Sequence, residues 1–316
     1  MNVWEFIISK YDSAIKVTLL CVLKSDGSSP GRQGFKMAVA ADGDFFGTIG
    51  GGIMEHKFVE MARAQLLADV TVADVYRQIH DKSAAKNQSG MICSGEQTIF
   101  IYQIQESDLP AIRRMKLSIE NLKNGELQID KNSILFSEKA VEADFYFGHT
   151  EDNFLYREKT GFKNKLCIIG GGHCALALSK LMSEMDFHIT LYEERSDLNT
   201  LEQNIFVHKK VILSSYADLG NMLDEGESVY VVIMTMGYRS DAAALKALLG
   251  KNFKYVGMLG SSKKMEQMFK DFKLEKLDAQ AFEQVHTPIG IKINSQTTAE
   301  IAVSIAAEII AVKNKA

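Results

Sequence analysis

The stretch Cys167-Ile-Ile-Gly-Gly-Gly-His-Cys-Ala175 constrains this chain more than any other. Leu166 to Ile169 is short and apolar, as a buried strand is. Gly170, Gly171 and Gly172 follow at once, and Ala175 stands in the place of a third small residue. Leu176 to Met185 is then apolar at helical spacing. Strand, tight glycine turn and helix together let a pyrophosphate approach the backbone and meet the free N–H groups of the first helical turn. A second strand, Phe187 to Tyr192, ends in Glu193, 23 residues after Gly170. A ribose-binding carboxylate is expected at a spacing of ~20. Glu193 favours NAD over NADP, and Arg195 beside it weakens that preference. His173 follows the glycines directly; it suits a phosphate contact or a proton carrier, and equally an ordinary first-turn residue.

From residue 165 the pattern is a regular alternation. Strands are predicted near 166–169, 187–192, 210–213, 228–234 and 254–259, and helices near 173–185, 217–223, 240–249 and 262–273. This predicts a doubly wound parallel sheet over 163–316. Two further strand ends face the ligand crevice of such a sheet. One carries Thr235-Met-Gly-Tyr-Arg-Ser-Asp241; the other is Gly257-Met-Leu-Gly260-Ser261-Ser-Lys-Lys264, with the make-up of an anion site. Lys264 fits a phosphate contact or a solvated helix face.

Before this lies a small α/β domain over 1–125, with a connecting β segment over 126–162. Asp42-Gly43 signals a type I′ hairpin turn. Two glycine-rich loops follow one another. The first holds Gly27, Ser28, Ser29, Pro30, Arg32, Gly34 and Lys36; the second is Gly47-Thr48-Ile49-Gly50-Gly51-Gly52, opening a helix with Glu55 in its first turn. Glycine runs at a helix start are prepared anion sites, and Arg and Lys add charge to them. The plain alternative is a pair of tight turns that need positive φ. Gly90-Met-Ile-Cys93-Ser94-Gly95 places a thiol in a small-residue turn, where neighbouring N–H groups can lower its pKa. A small buried hydrophobe is the other reading of Cys93.

The bulk properties exclude several classes. The chain has 316 residues, 46% hydrophobic and 24% charged, with net charge −4. That balance offers no broad basic surface for nucleic acid. Met1 to Leu20 is interrupted by Glu5, Lys10, Asp12 and Lys16, so neither a signal peptide nor a membrane span is expected there. Four cysteines without CxxC spacing fit a reduced, cytoplasmic protein. The glycine loops lack the GxxxxGK[ST] spacing of an ATPase, and the dispersed histidines give no zinc pattern.

Read together, these pieces resemble the XdhC/CoxI family, accessory proteins of molybdenum hydroxylases such as xanthine dehydrogenase. The resemblance rests on Gly27-Ser-Ser-Pro30, Gly34-Phe-Lys-Met37, Gly47 to Gly52 with Glu55, and Gly90-Met-Ile-Cys93. It continues through Ile169-Gly-Gly-Gly-His173, Glu194-Arg195, Gly257-Met-Leu-Gly-Ser261 with Lys264, His286-Thr-Pro-Ile-Gly290 and Ala299-Glu-Ile-Ala302. It implies a small N-terminal α/β domain, a C-terminal Rossmann domain and a homodimer. It also implies a protein that binds molybdenum cofactor (molybdopterin, also in dinucleotide form). The cofactor would be held for sulfuration by a cysteine desulfurase and passed to a xanthine dehydrogenase-type hydroxylase. In that reading Cys93 lies at the molybdenum end, and the chain is a maturation factor rather than an enzyme. Thr235-Met236 replaces the family's usual Thr-His, Ile53-Met54 replaces its cysteine after the triple glycine, and Glu193 replaces the usual aspartate. The competing reading is an NAD(P)-dependent oxidoreductase, for which the sequence shows no Tyr-x-x-x-Lys pair.

Overall fold

The computed structural model describes residues 2–79, 95–139, 143–150, 153–275, 277, 282 and 284–315. The chain is α/β and divides into two compact units, 1–161 and 162–316.

The first unit begins with α1 (Val3–Asp12), closed at its start by a capping box between Asn2 and Glu5. Five antiparallel strands follow: β1 (Val17–Gly27), β2 (Lys36–Ala40), β3 (Phe45–Gly47), β4 (Ala73–Ile79) and β5 (Gly95–Gln103), in the order β3-β2-β1-β5-β4. Seven consecutive residues of β1, from Val17, are buried. The strand's period of two explains this. Leu19, Cys21 and Leu23 enter one core with α1 and α3 (Leu109–Glu120), while Leu20 and Val22 enter a second core under α2 (Gly52–Leu67). The β2–β3 hairpin turn has positive φ at Gly43 and not at Asp42, so it is not the type I′ turn expected.

The segment expected as a connection is a sheet of its own. Here β6 (Gly125–Asp130), β7 (Ile134–Ser137), β8 (Phe145–His149) and β9 (Phe154–Thr160) pair in the order β7-β6-β9-β8. Leu127, Ile129, Ile134, Phe136, Phe154 and Tyr156 join the first unit's core, which is why this sheet belongs to that unit.

Among the described residues the second unit holds five parallel strands: β10 (Asn164–Ile169), β11 (Phe187–Glu193), β12 (Lys209–Ile212), β13 (Gly226–Ile233) and β14 (Phe253–Met258). Their order is β12-β11-β10-β13-β14, so the winding direction reverses between β10 and β13. Ligands of open α/β sheets bind beyond the strand ends at that reversal. Among the described residues its helices include α4 (His173–Met182), α5 (Asn199–Gln203), α6 (Leu219–Met222), α7 (Tyr238–Leu248), α8 (Ser262–Leu274) and α9 (Thr298–Lys313). Leu166 and Ile168 of β10 pack with residues of α4 and α9; Cys167 and Ile169 pack with residues of α7 and α8. Both faces of the sheet are therefore covered, as a Rossmann-type sheet requires. Among the described residues no helix is long and apolar enough to cross a membrane.

Candidate functional site

The glycine turn after β10 is built by close backbone approach. Gly170 has φ of +107°, and a Cβ there would lie 2.4 Å from the Met234 carbonyl oxygen. No other residue fits without moving the end of β13. Gly171 donates its N–H to Glu193 Oε2 at 2.7 Å, and its carbonyl accepts from Thr200 Oγ1 at 2.5 Å. Gly172 caps α4 with no side-chain hydrogen bond, and no atom lies within 4 Å of where its Cβ would be. The space beside Gly172 is thus open, at a helix start whose first-turn N–H groups have no side-chain cap. His173 is exposed there.

Glu193 is placed differently from the ribose acceptor expected of it. Its side chain is fully buried. Oε1 accepts from the Glu194 N–H at 2.9 Å, the Arg195 N–H at 3.1 Å, Arg195 Nε at 2.9 Å and the Tyr216 hydroxyl at 3.0 Å. Oε2 accepts from Gly171 and from Arg195 Nη2 at 2.8 Å. Burial alone would raise this carboxyl's pKa. The Arg195 bonds, the Gly171 amide and Tyr216 outweigh it and hold the group down to about 2. Glu193 is therefore an internal anion at neutral pH that ties the glycine turn to β11, not a group free for a ribose. Tyr216 and Thr200 complete this arrangement. Neither was found in the sequence, because no local spacing links them to the turn.

Thr235, at the end of β13, donates its N–H and its hydroxyl to Asp241 Oδ1 at 3.0 and 2.5 Å, and lies 2.6 Å from Ser240 Oγ. Asp241 is buried, and Lys264 from α8 pairs with its other oxygen. Lys264 is thus committed to a buried carboxylate and is not the free phosphate donor expected. Ser261 caps α8 through its hydroxyl, which accepts from the Lys264 N–H at 3.4 Å, and Gly260 packs on the Lys264 side chain. His286 and Gly290 form a seam with α9: Gly290 N–H and the Tyr255 hydroxyl both donate to Glu308 Oε2, at 2.8 and 2.5 Å.

In the first unit the two glycine loops lie backbone to backbone. A Cβ on Gly50 would fall 2.6 Å from the Gly31 nitrogen. Gln97 of β5, fully buried, donates to the carbonyls of Gly31 at 3.1 Å and Ile49 at 3.0 Å and so stitches the loops together. Glu55 Oε2 accepts from the Thr48 hydroxyl at 2.6 Å, the Ile49 N–H at 2.8 Å and the Gly51 N–H at 3.0 Å, and Thr48 Oγ1 accepts from Gly50. Gly52 opens α2 just beyond. This turn is an anion site whose anion is the protein's own carboxylate. Ser29 is buried and donates to the Gly31 carbonyl.

Lys36 is committed to an internal carboxylate as Lys264 is, and is not the free phosphate donor expected. It is buried, pairs with Glu158 of β9 and donates to the Gly34 carbonyl at 2.9 Å. Burial opposes its charge, and Glu158 beside it outweighs that and raises its pKa. Of the first-loop donors, Ser28 and Arg32 are exposed, with Arg32 reaching the Gly27 carbonyl at 3.3 Å. Cys93 lies outside the described residues. Cys21 and Cys167 are buried thiols pushed up to about 12, so neither is a ready nucleophile. Among the described residues no group of three His, Cys, Asp or Glu side chains could hold a metal ion.

Comparison with known proteins follows this division. A family model described as the XdhC Rossmann domain matches residues 166–309, and one described as the XdhC and CoxI family matches residues 12–76. "Uncharacterized protein YqeB" of Escherichia coli K12 is 24% identical over 320 residues, covering 100% of this chain and 47% of that protein. A probable xanthine dehydrogenase subunit of Bacillus subtilis 168 is 25% identical over 173 residues, covering 54% of this chain and 48% of that protein. The chain spans about half the length of these curated relatives. A crystal structure described as a xanthine dehydrogenase (BH1974) from Bacillus halodurans shares the fold. Its TM-score is 0.72 at 20% identity, covering 100% of this chain and 97% of that one.

Proposed function

Because the chain belongs to the XdhC and CoxI family, we propose that it is an accessory protein of a xanthine dehydrogenase-type molybdenum hydroxylase. Its cargo in this reading is molybdenum cofactor, as molybdopterin or its dinucleotide form. It holds the cofactor for sulfuration by a cysteine desulfurase and delivers it, as a cytoplasmic homodimer. The observation that carries this is the Gly170–Gly172 turn: a helix start with no side-chain cap, open at Gly172, at the reversal point of a parallel sheet. Such a start favours a phosphate through its N–H groups and helix dipole.

The residues fit the phosphate end of such a cargo in the second unit. They do not fit it at Gly47–Gly52 while Glu55 occupies those amides. When bound, the cofactor supplies the molybdenum centre that the client uses. This chain's own residues bind and orient its phosphate and keep Glu193 beneath the turn as a fixed support.

Expression in a host that makes the cofactor, followed by molybdenum and pterin assay of the purified protein, tests the reading. Stoichiometric pterin is expected, with Gly172→Val lowering it. Protein free of pterin after anaerobic purification contradicts it. Cys93→Ala, run alongside, tests the thiol: unchanged molybdenum would remove it from the metal end. An NAD(P)-dependent oxidoreductase is the second reading, favoured by the same glycine turn, and substrate-linked NADH oxidation would establish it instead.

A further inference from the structure

The end of β11 presents a hydrogen-bond donor where a dinucleotide fold ordinarily presents an acceptor. In such folds a carboxylate here takes the ribose 2′-hydroxyl, and an arginine nearby accommodates a 2′-phosphate. A carboxylate offers about four lone-pair sites. Those of Glu193 are taken up by Gly171, Glu194, Arg195 and Tyr216, beneath a surface it does not reach.

Arg195 spends Nε and Nη2 on Glu193 and turns Nη1 outward. There its partner is the thioether sulfur of Met236 at 3.3 Å. A thioether is a weak acceptor, and Met236 is 78% exposed. Any stronger acceptor can replace it without disturbing a core. Arg195 follows β11 and Met236 follows β13, the two neighbours of β10. Their contact therefore spans the end of β10, where the glycine turn begins. Clamped flat by Glu193, the guanidinium has already lost the rotamer freedom that a phosphate contact would otherwise cost it.

We propose that Arg195 makes the end of β11 a phosphate-selecting subsite, held in place by Glu193. It takes a phosphate monoester in exchange for the Met236 thioether and does not take a free ribose diol. This rests on the reading that the Gly170–Gly172 turn receives a phosphate-bearing ligand, and it names which group selects that ligand. A phosphorylated pterin and a 2′-phosphorylated nicotinamide dinucleotide share this chemistry.

Calorimetric titration of the full chain with 2′,5′-ADP against 5′-AMP, and fluorescence titration with NADPH against NADH, tests the assignment. The 2′-phosphorylated member of each pair is expected to bind at least about tenfold tighter, the scale of one charge-assisted bond. Met236→Glu, at an exposed position, hands Arg195 its own carboxylate and should bring each pair to near parity; Met236→Ala should keep the preference. Equal binding within the pairs, no binding of 2′,5′-ADP, or a preference that survives Met236→Glu overturns the proposal. Displacement of 2′,5′-ADP by an oxidised phosphopterin, lost on phosphatase treatment, identifies the pterin as the source. Displacement by NADPH alone identifies the nicotinamide. The two readings fail separately. Pterin-free protein that keeps the 2′-phosphate preference sinks the cargo and spares the subsite; pterin-loaded protein without the preference does the reverse.

Discussion

The two glycine turns of this chain are built from the same parts and finished in opposite ways. Each precedes a helix, and each gives backbone N–H groups to an internal carboxylate. At Gly47–Gly52 that carboxylate is Glu55, from the first turn of the helix the loop opens; it is half-buried and takes the amides of Ile49 and Gly51. At Gly170–Gly172 it is Glu193, from the neighbouring strand; it is fully buried, takes only the Gly171 amide of the turn, and leaves Gly172 open. A local carboxylate consumes its turn, whereas one reaching in from below braces the turn and leaves its outer face for a ligand. An identical motif in sequence can therefore be a closed structural cap or an open site, depending on where the balancing charge comes from.

The largest expected effect tests that difference directly. Glu193→Ala leaves Tyr216, Arg195 and the Gly171 N–H without their acceptor, and should cost the second unit roughly 3–5 kcal/mol, the scale of breaking a buried charged network. Glu55→Ala removes a partly exposed cap and should cost the first unit only about 0.5–2 kcal/mol. Denaturation followed by hydrogen exchange, with Trp4 fluorescence reporting the first unit, separates the two. Similar costs would mean that both carboxylates play one role.

Acid should reveal the same asymmetry. Glu193 sits at about 2 in the folded chain against an ordinary 4.5. Its depressed pKa contributes stability that is complete above about 4.5 and lost as pH falls from there toward 2, because the unfolded chain takes up the proton first. The loss is on the order of 3 kcal/mol. Glu193→Gln should lower stability at neutral pH and flatten that acid limb. An unchanged limb in the variant would assign the acid sensitivity to other carboxylates.

How much of this was readable beforehand follows from distance along the chain. The β10–turn–α4 unit was legible because strand, glycines and helix are contiguous, and the Rossmann sheet because its elements alternate regularly. What the sequence hid are the partners that use up its cations. Lys36 meets Glu158, 122 positions away, and Lys264 meets Asp241, 23 away, on a different helix. Both lysines stand beside glycine loops and look like phosphate donors until the fold supplies a carboxylate for each. The sheet over 125–160 was hidden too, since short strands with polar turns read as a connection until their apolar faces meet a core.

The finest contrast lies within a single turn. Gly170→Ala forces a side chain into positive φ and against the Met234 carbonyl, and should cost about 1–3 kcal/mol or more. Gly172 has φ of −74°, ordinary for any residue, and open space beyond it. Gly172→Ala should therefore cost only about 1 kcal/mol, the difference between Gly and Ala at a helix N-cap. The same methyl group would stand where a phosphate must approach the α4 N–H groups, so 2′,5′-ADP binding should weaken severalfold while the melting temperature falls only slightly. If binding and stability fall together at both glycines, the turn is one rigid structural piece with no ligand face. If binding falls only at Gly172, structure and recognition are divided between adjacent glycines, the first shaping the turn and the last keeping its outer side clear.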